Sequence, residues 1–233
     1  AELINKRAEH IPLQHITGIV NFYGREYKVN ANVLIPRQDT EILVEEVMKL
    51  TNSESRVLDM CTGSGCIIIS LAASGHTSEN GAVAIDISDD ALKVADYNKK
   101  YNNADYIKLI KSDMFSSSEC EQYKNEDNRF DVIVSNPPYI PTKDIDELSE
   151  EVRLHDPVLA LDGDTDGLKF YKAITKQSVN YLKENGYLCY EIGYNQAEDV
   201  RNIMEQCGYS GIKVIKDLAG LDRVVIGRLN NIN

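Results

Sequence analysis

The chain has 233 residues, 42% of them hydrophobic and 27% charged, which suits one α/β domain with a sizeable core and no run apolar enough to cross a bilayer. Its formal net charge of −12 argues against free nucleic acid as a direct partner, because that binding rests on Lys and Arg meeting phosphates; a protein or small molecule fits better. The five cysteines, Cys61, Cys66, Cys120, Cys189 and Cys207, show neither CxxC nor Cys/His spacing, so the expectation is reduced cytoplasmic thiols, with no disulfide framework and no metal site.

Residues 1–14 are mixed in character and helical at their start. "ITGIVNFYGREYKVNANVLIP" alternates apolar and polar residues around Gly24 and reads as a β-hairpin, so residues 1–36 are expected to form a linker and hairpin ahead of the main α/β unit over 37–233. "DTEILVEEVMKL" carries Ile42, Leu43, Val47 and Leu50 at helical spacing, with acids in its first turn. From there strands and helices alternate: strand "RVLDM", turn "CTGSG", helix "CIIISLAA", strand "AVAIDIS", helix "DDALKVADYNKKY" and strand "YIKLIKSDMF". A polar stretch from Ser116 to Arg129 reads as helix or loop. Strand "FDVIVSN" follows, then a long loop, helix "LKFYKAITKQSVNYL", strand "GYLCYEI", helix "QAEDVRNIMEQC", and the strands "GIKVIKDL" and "RVVIGRL". Right-handed βαβ crossovers then build a Rossmann-like, doubly wound, mostly parallel sheet. The closing strand pair predicts an antiparallel C-terminal edge.

Three strand ends bear acids. In "VLDMCTGSGC" a strand ends at Asp59 and turns through Cys61, Thr62, Gly63, Ser64 and Gly65 into a helix. The glycines remove Cβ atoms that would keep a ligand from the backbone. The third glycine of a dinucleotide fingerprint and the GK[ST] of a P-loop are both missing, so a pyrophosphate cradle is disfavoured. A tight turn without a ligand remains the competing reading. Asp86 ends the next strand, where ribose hydroxyls lie in nucleoside-binding folds, although it competes as the N-cap of the following helix. Asp113 in "SDMF" is placed to accept from an adenine amino group, with Ile87 or Met114 packed on the ring.

The fourth strand runs into "VIVSNPPYIP", Val132 to Pro141. Two prolines end the ladder and stiffen the loop that follows. The Asn136 side-chain oxygen and the Pro137 carbonyl can each accept one N–H of a planar NH₂ group, and Tyr139 offers a flat face. A proline-rich surface turn is the alternative.

Glycine turn, acid after the second strand, "SDMF" and "NPPY" together resemble a class I S-adenosyl-L-methionine-dependent methyltransferase, with Cys61 standing where many such enzymes carry glycine. With "LIPRQDTE", "EEVRLHDPVLALDGDTDGL" and "DLAGLDRVVIGR" the chain is similar to the HemK/PrmC family, protein-(glutamine-N5) methyltransferases that modify the GGQ glutamine of class I peptide chain release factors. That resemblance spans nearly the whole chain and implies a helical domain ahead of the linker, which the chain would lack. It also implies S-adenosyl-L-methionine as cofactor, S-adenosyl-L-homocysteine as its product, and a release factor as protein substrate. Cofactor contacts then fall on Cys61, Thr62, Gly63, Ser64, Gly65, Asp86, Ile87, Asp113, Met114 and Asn136. Substrate contacts fall on Asn136, Pro137, Pro138, Tyr139 and Arg37, with Asn136, Pro137 and Tyr139 as the catalytic set. Arg37 has an equal claim as a structural partner of an acid; His155 reads as a packing residue and Arg223 as a structural pair. The alternatives are methylation of an exocyclic amino group of adenine or guanine in RNA or DNA, and a non-catalytic cofactor-binding module.

Overall fold

The computed structural model describes residues 2–230. Two short helices, α1 (Glu2–Ala8) and α2 (Leu13–Thr17), lead into an antiparallel hairpin of β1 (Ile19–Phe22) and β2 (Arg25–Lys28). Tyr23 and Gly24 make its two-residue turn, both at positive φ (47° and 69°), as the right-handed twist of a tight hairpin requires.

The seven strands of the main sheet are β3 (Val57–Met60), β4 (Ala82–Asp86), β5 (Lys108–Lys111), β6 (Phe130–Ser135), β7 (Leu182–Glu191), β8 (Tyr209–Lys216) and β9 (Asp222–Leu229). They lie in the order β5-β4-β3-β6-β7-β9-β8. The first five are parallel; β9 runs antiparallel to both β7 and β8. The expected antiparallel edge is therefore present. Strand order reverses between β3 and β6, and open α/β sheets bind ligands at such a switch point.

Alternate residues of each strand serve opposite faces. Leu58, Val83, Ile85, Ile133, Leu188 and Tyr190 meet Tyr171, Ile174, Val200 and Met204 in one core. Val57, Ala82, Ala84, Val132, Val134 and Cys189 meet Leu43, Val44, Val47 and Ile68 in the other. The helices that supply these side chains are α7 (Lys169–Ser178) and α8 (Ala197–Gln206) on the first face, and α3 (Thr40–Met48) and α4 (Cys66–Ala73) on the second. Helix α5 (Asp89–Tyr101) packs Ala91 and Val94 against Val29 and Val33. Burial on both faces explains why the strands are apolar at nearly every position. No helix among the described residues is long and apolar enough to cross a membrane.

Four elements differ from the sequence reading. Strand β5 covers only Lys108–Lys111, because Ser112 and Asp113 leave the ladder for the ligand edge. Strand β7 begins at Leu182 rather than Gly186, while the stretch 116–129, read as helix or loop, forms two short 3-10 segments, Ser118–Lys124 and Glu126–Asn128. Helix α7 stops at Ser178, whose hydroxyl bonds the Thr175 carbonyl (2.9 Å) and the Tyr209 hydroxyl (2.6 Å). By Tyr181 the chain already serves the sheet, its carbonyl accepting from the Phe130 N–H at 2.8 Å. The long loop after β6 holds one more helix, α6 (Glu150–His155).

Asn98 of α5 joins the N-terminal hairpin to the glycine turn. It is fully buried; its Oδ1 accepts from the Lys28 N–H (2.7 Å), and its Nδ2 donates to the carbonyls of Lys28 (3.0 Å) and Ser64 (2.9 Å). Asn98→Ala leaves buried backbone groups unpaired, and is expected to cost about 2–4 kcal/mol in urea unfolding.

Candidate active site

The glycine turn is held from below by a buried acid. The Asp59 Oδ2 accepts from the Thr62 hydroxyl (2.6 Å) and the Ile68 N–H (3.4 Å), at the start of α4; its Oδ1 has no partner. Burial, with Asp86 adding to it, pushes the Asp59 carboxyl up to about 7. Within this turn Cys61, Gly63 and Gly65 all take left-handed backbone conformations (φ 61°, 55° and 80°). Glycine does so freely; a side chain carries strain of order 1–2 kcal/mol there. Cys61 thus sits where the reading of the sequence found glycine to be usual. At Gly65 the conformation is what calls for glycine, because the atom nearest an added Cβ, Ile69 Cδ1 at 2.8 Å, is the end of a side chain that can move aside.

Asp86 is not the N-cap of α5. Ser88 takes that role, its Oγ accepting from the Ala91 N–H at 3.2 Å. Asp86 accepts instead from the Ser88 N–H (Oδ1, 2.9 Å) and, across the crevice, from the Gly63 N–H (Oδ2, 2.8 Å). Its carboxyl is raised, first by burial, against these opposing backbone hydrogen bonds. The same acid that faces the cavity therefore holds the glycine turn in shape. Met114 also has a positive φ (50°).

The Asn-Pro-Pro-Tyr loop is clamped on several sides. The Ser135 hydroxyl donates to the Met60 carbonyl (2.6 Å), tying β6 to β3 at the crevice. Asn136 Nδ2 donates to Thr40 Oγ1 on α3 at 3.4 Å, and both prolines are buried. Beyond them the Ile140 N–H donates to the Leu161 carbonyl (3.0 Å), and the Gly163 N–H to the Ile140 carbonyl (2.8 Å). A Cβ on Gly163 would lie 2.9 Å from the Tyr139 backbone, and one on Gly167 (φ 72°) would strike the Tyr139 carbonyl. Gln196 completes the clamp: Nε2 donates to the carbonyls of Tyr139 (2.9 Å) and Gly167 (3.3 Å), while Oε1 accepts from the Gly193 N–H (3.0 Å).

A cavity of about 360 Å³ opens at the switch point. Of the expected site residues, Arg37, Cys61, Thr62, Gly63, Ser64, Asp86, Ile87, Asp113, Met114, Asn136 and Pro138 line it. Gly65, Pro137 and Tyr139 are not part of its wall. The Tyr139 ring packs against the core on the α7 face, and burial raises its phenol, with Glu191 adding to the rise and Arg223 opposing it. Arg37 makes the structural pair that the sequence offered as one reading, its Nη2 donating to Asp156 Oδ2 at 2.8 Å, and it also lines the cavity. The Asp156 side chain is 1% exposed and that of Arg37 45%. Arg223 pairs with Asp217 at 3.0 Å and bonds the Ile192 carbonyl at 3.3 Å, a structural role as expected. The buried Cys66 thiol is pushed up to about 12 by desolvation, which leaves it inert.

Four residues escaped the sequence reading: Thr40, Asp156, Glu191 and Gln196. Only Glu191 left a signal, an acid ending an otherwise apolar strand at the same edge as Asp86. The others depend on approaches between distant segments.

The fold and the cavity at its carboxyl edge are those of a methyltransferase, and the family model described as a methyltransferase domain matches residues 51–222. The chain is 41% identical over 228 residues to the release factor glutamine methyltransferase of Thermodesulfovibrio yellowstonii, covering 96% of this chain and 78% of that protein. To the protein of that name from Fusobacterium nucleatum it is 40% identical over 228 residues, covering 97% of this chain and 62% of the other. The chain belongs to the release factor glutamine methyltransferase family. Among solved structures, the E. cuniculi Mtq2–Trm112 complex matches with a TM-score of 0.58 at 22% identity, over 85% of this chain and 99% of that one; this likeness is one of fold.

The raised Asp59 carboxyl sets a pH dependence. Its folded value, about 7, lies above the ordinary 3.8, so the folded state holds a proton that the unfolded chain releases. Stability from this group is fullest below about pH 4 and falls as pH rises toward 7. Asp59→Asn keeps an acceptor for Thr62 and removes the charge. Its stability relative to the parent, read by urea unfolding, should rise from about pH 4 to pH 7 and level off above. A flat difference would contradict this.

Proposed function

We propose that the chain transfers a methyl group from S-adenosyl-L-methionine to the side-chain amide nitrogen (N5) of the glutamine in the GGQ motif of class I peptide chain release factors. The observation that carries this reading is the setting of Asn136. Its amide N–H is taken up by Thr40 (3.4 Å), which leaves its carbonyl oxygen free to serve the cavity it lines.

The cavity suits the cofactor chemically. The glycine turn leaves its backbone open to a ligand, Asp86 offers a carboxylate to ribose hydroxyls, and Ile87, Met114 and Phe170 supply apolar walls. Asp113 and Ser112 stand at the same end as acceptors and donors for a base edge. Arg37 gives a cation at the wall, where a carboxylate would be welcome. When bound, S-adenosyl-L-methionine supplies an electrophilic methyl carbon on a positive sulfur.

A glutamine amide nitrogen is a poor nucleophile because its lone pair is delocalised into the carbonyl. The Asn136 Oδ1 at the cavity wall, and the Pro137 carbonyl on the loop just outside that wall, accept its two N–H groups, orient it, and raise its electron density as the new bond forms. The clamp by Gly163, Gly167 and Gln196 holds those acceptors in place, so little reorganisation is left for the reaction itself. Methylation makes the nitrogen acidic, and the same acceptors direct the departing proton outward.

Labelled methyl transfer tests the substrate. S-adenosyl-L-methionine carrying tritium is offered with a release factor in one tube and total RNA in another. Label on the release factor, lost when its GGQ glutamine is changed, is the expected result; label on RNA alone would keep the methyl-transfer chemistry and replace the substrate. In the same assay Asn136→Ala should lower kcat/KM by at least about 30-fold, a loss of about 2 kcal/mol in barrier. Near-normal turnover would remove the role given to Asn136.

A further inference from the structure

Glu191 has no part in the chemistry described so far, yet it sits beside it. It is the last residue of β7, and the register Ser135↔Tyr190 sets it alongside Asn136 at the open edge of the sheet. Strand alternation turns both residues to the α3 face, where Thr40 lies. Glu191 is 3% exposed, and its Oε2 is buried without a hydrogen-bond partner. Unpaired buried carboxylate oxygens are costly. The Arg223 cation favours the ionised form without pairing with it: Arg223 is committed to Asp217 (3.0 Å), to Asp39 (3.7 Å) and to the Ile192 carbonyl (3.3 Å).

The Thr40 hydroxyl has one proton. Because its oxygen accepts from Asn136 Nδ2 (3.4 Å), that proton is free to be donated onward, and Thr40 favours the ionised form of the neighbouring Glu191 carboxyl. This matters because an asparagine amide has two faces. With Nδ2 turned inward, Oδ1 presents an acceptor to the substrate NH₂ group; with the amide reversed, donor would face donor.

We propose that Glu191 is the positioning residue for Asn136: its carboxylate, receiving from Thr40 and Asn136, holds the amide nitrogen inward so that Oδ1 faces the substrate. The proposal rests on the reading of Asn136 as the group that orients the methylated amide. An ionised carboxylate accepts only, and so enforces one orientation. A protonated one can donate to Oδ1 and stabilise the other. Burial is the main influence on this carboxyl and pushes it up to about 7, against Thr40, Arg223 and Asn136. The other titratable groups facing it are Asp39 ahead of α3, Tyr139 in the loop, Tyr171 of α7 and Cys66 of α4.

Two readouts on the full chain test this. In nitrogen-15 NMR, the Asn136 side-chain NH₂ signals, assigned by their loss in Asn136→Ala, should shift with a single midpoint between about pH 6 and pH 8. The shift should vanish in Glu191→Gln, a near-isosteric change whose melting temperature is checked alongside. In the transfer assay, Glu191→Gln and Glu191→Ala should lower kcat by about 10- to 100-fold, with KM for S-adenosyl-L-methionine within about 3-fold of the parent. The acid limb of the parent's pH–rate profile should flatten in Glu191→Gln. Asn136 signals that ignore pH, or a Glu191→Gln variant with parental kcat and an intact acid limb, would overturn the proposal. Should the parent itself transfer no methyl group to a release factor, the amide reading fails, and the Asn136 titration alone decides whether Glu191 holds that side chain.

Discussion

The structure depends on a parallel sheet buried on both faces. Such a sheet has no polar face to offer, so everything chemical must be displayed where the strands end. The residues of β3, β4, β6 and the second half of β7 follow that constraint: mostly apolar, they finish in or beside Asp59, Asp86, Asn136 and Glu191. The reversal of strand order between β3 and β6 opens a crevice at that edge, and the cavity lies in it.

Holding that edge open has required polar groups in the interior. Asp59 beneath the glycine turn, Asp86 across it and Asn98 behind it each hold backbone that no strand or helix satisfies. A carboxylate is a costly means to that end, since burial favours its neutral form; Asp59 and Glu191 are both displaced toward neutrality. The left-handed residues Cys61 and Met114 add strain at the same place. Strain of this kind persists where surrounding structure over-determines it, and here the surrounding hydrogen bonds do so.

The second loop is organised differently. Prolines stiffen Asn136 to Tyr139 from within, while glycines at 163 and 167 let a separate segment press against it. Gln196 then bridges three stretches far apart in the chain. The result is a loop with little freedom to move. In the methyl transfer proposed above, whose difficulty lies in a poorly nucleophilic nitrogen, acceptors fixed on such a loop would matter more than a strong base.

Much of this was legible before any coordinates. The readings of α4 and α5 as "CIIISLAA" and "DDALKVADYNKKY" match their observed limits, because the residues that set a helix lie close together in the chain. The hairpin around Gly24 and the succession of strands and helices along the chain followed from the same kind of evidence. Local patterns also marked Asp86, Asn136 and the glycine turn as residues at strand ends. Local chemistry could not place the end of α7, where Tyr181 leaves the helix to pair with Phe130. Nor could it choose between Asp86 as cap and Asp86 as brace, since both uses suit an acid after a strand. That choice was made by Gly63, 23 residues earlier, coming within 2.8 Å. Amino-acid order by itself determined which segments are strands, where they stop, and which side chains wait at their ends. Which of those side chains meet, as Arg37 does Asp156 and Asn136 does Thr40, was decided only when the sheet brought distant segments together, because burial and hydrogen-bond partnership belong to the packed chain.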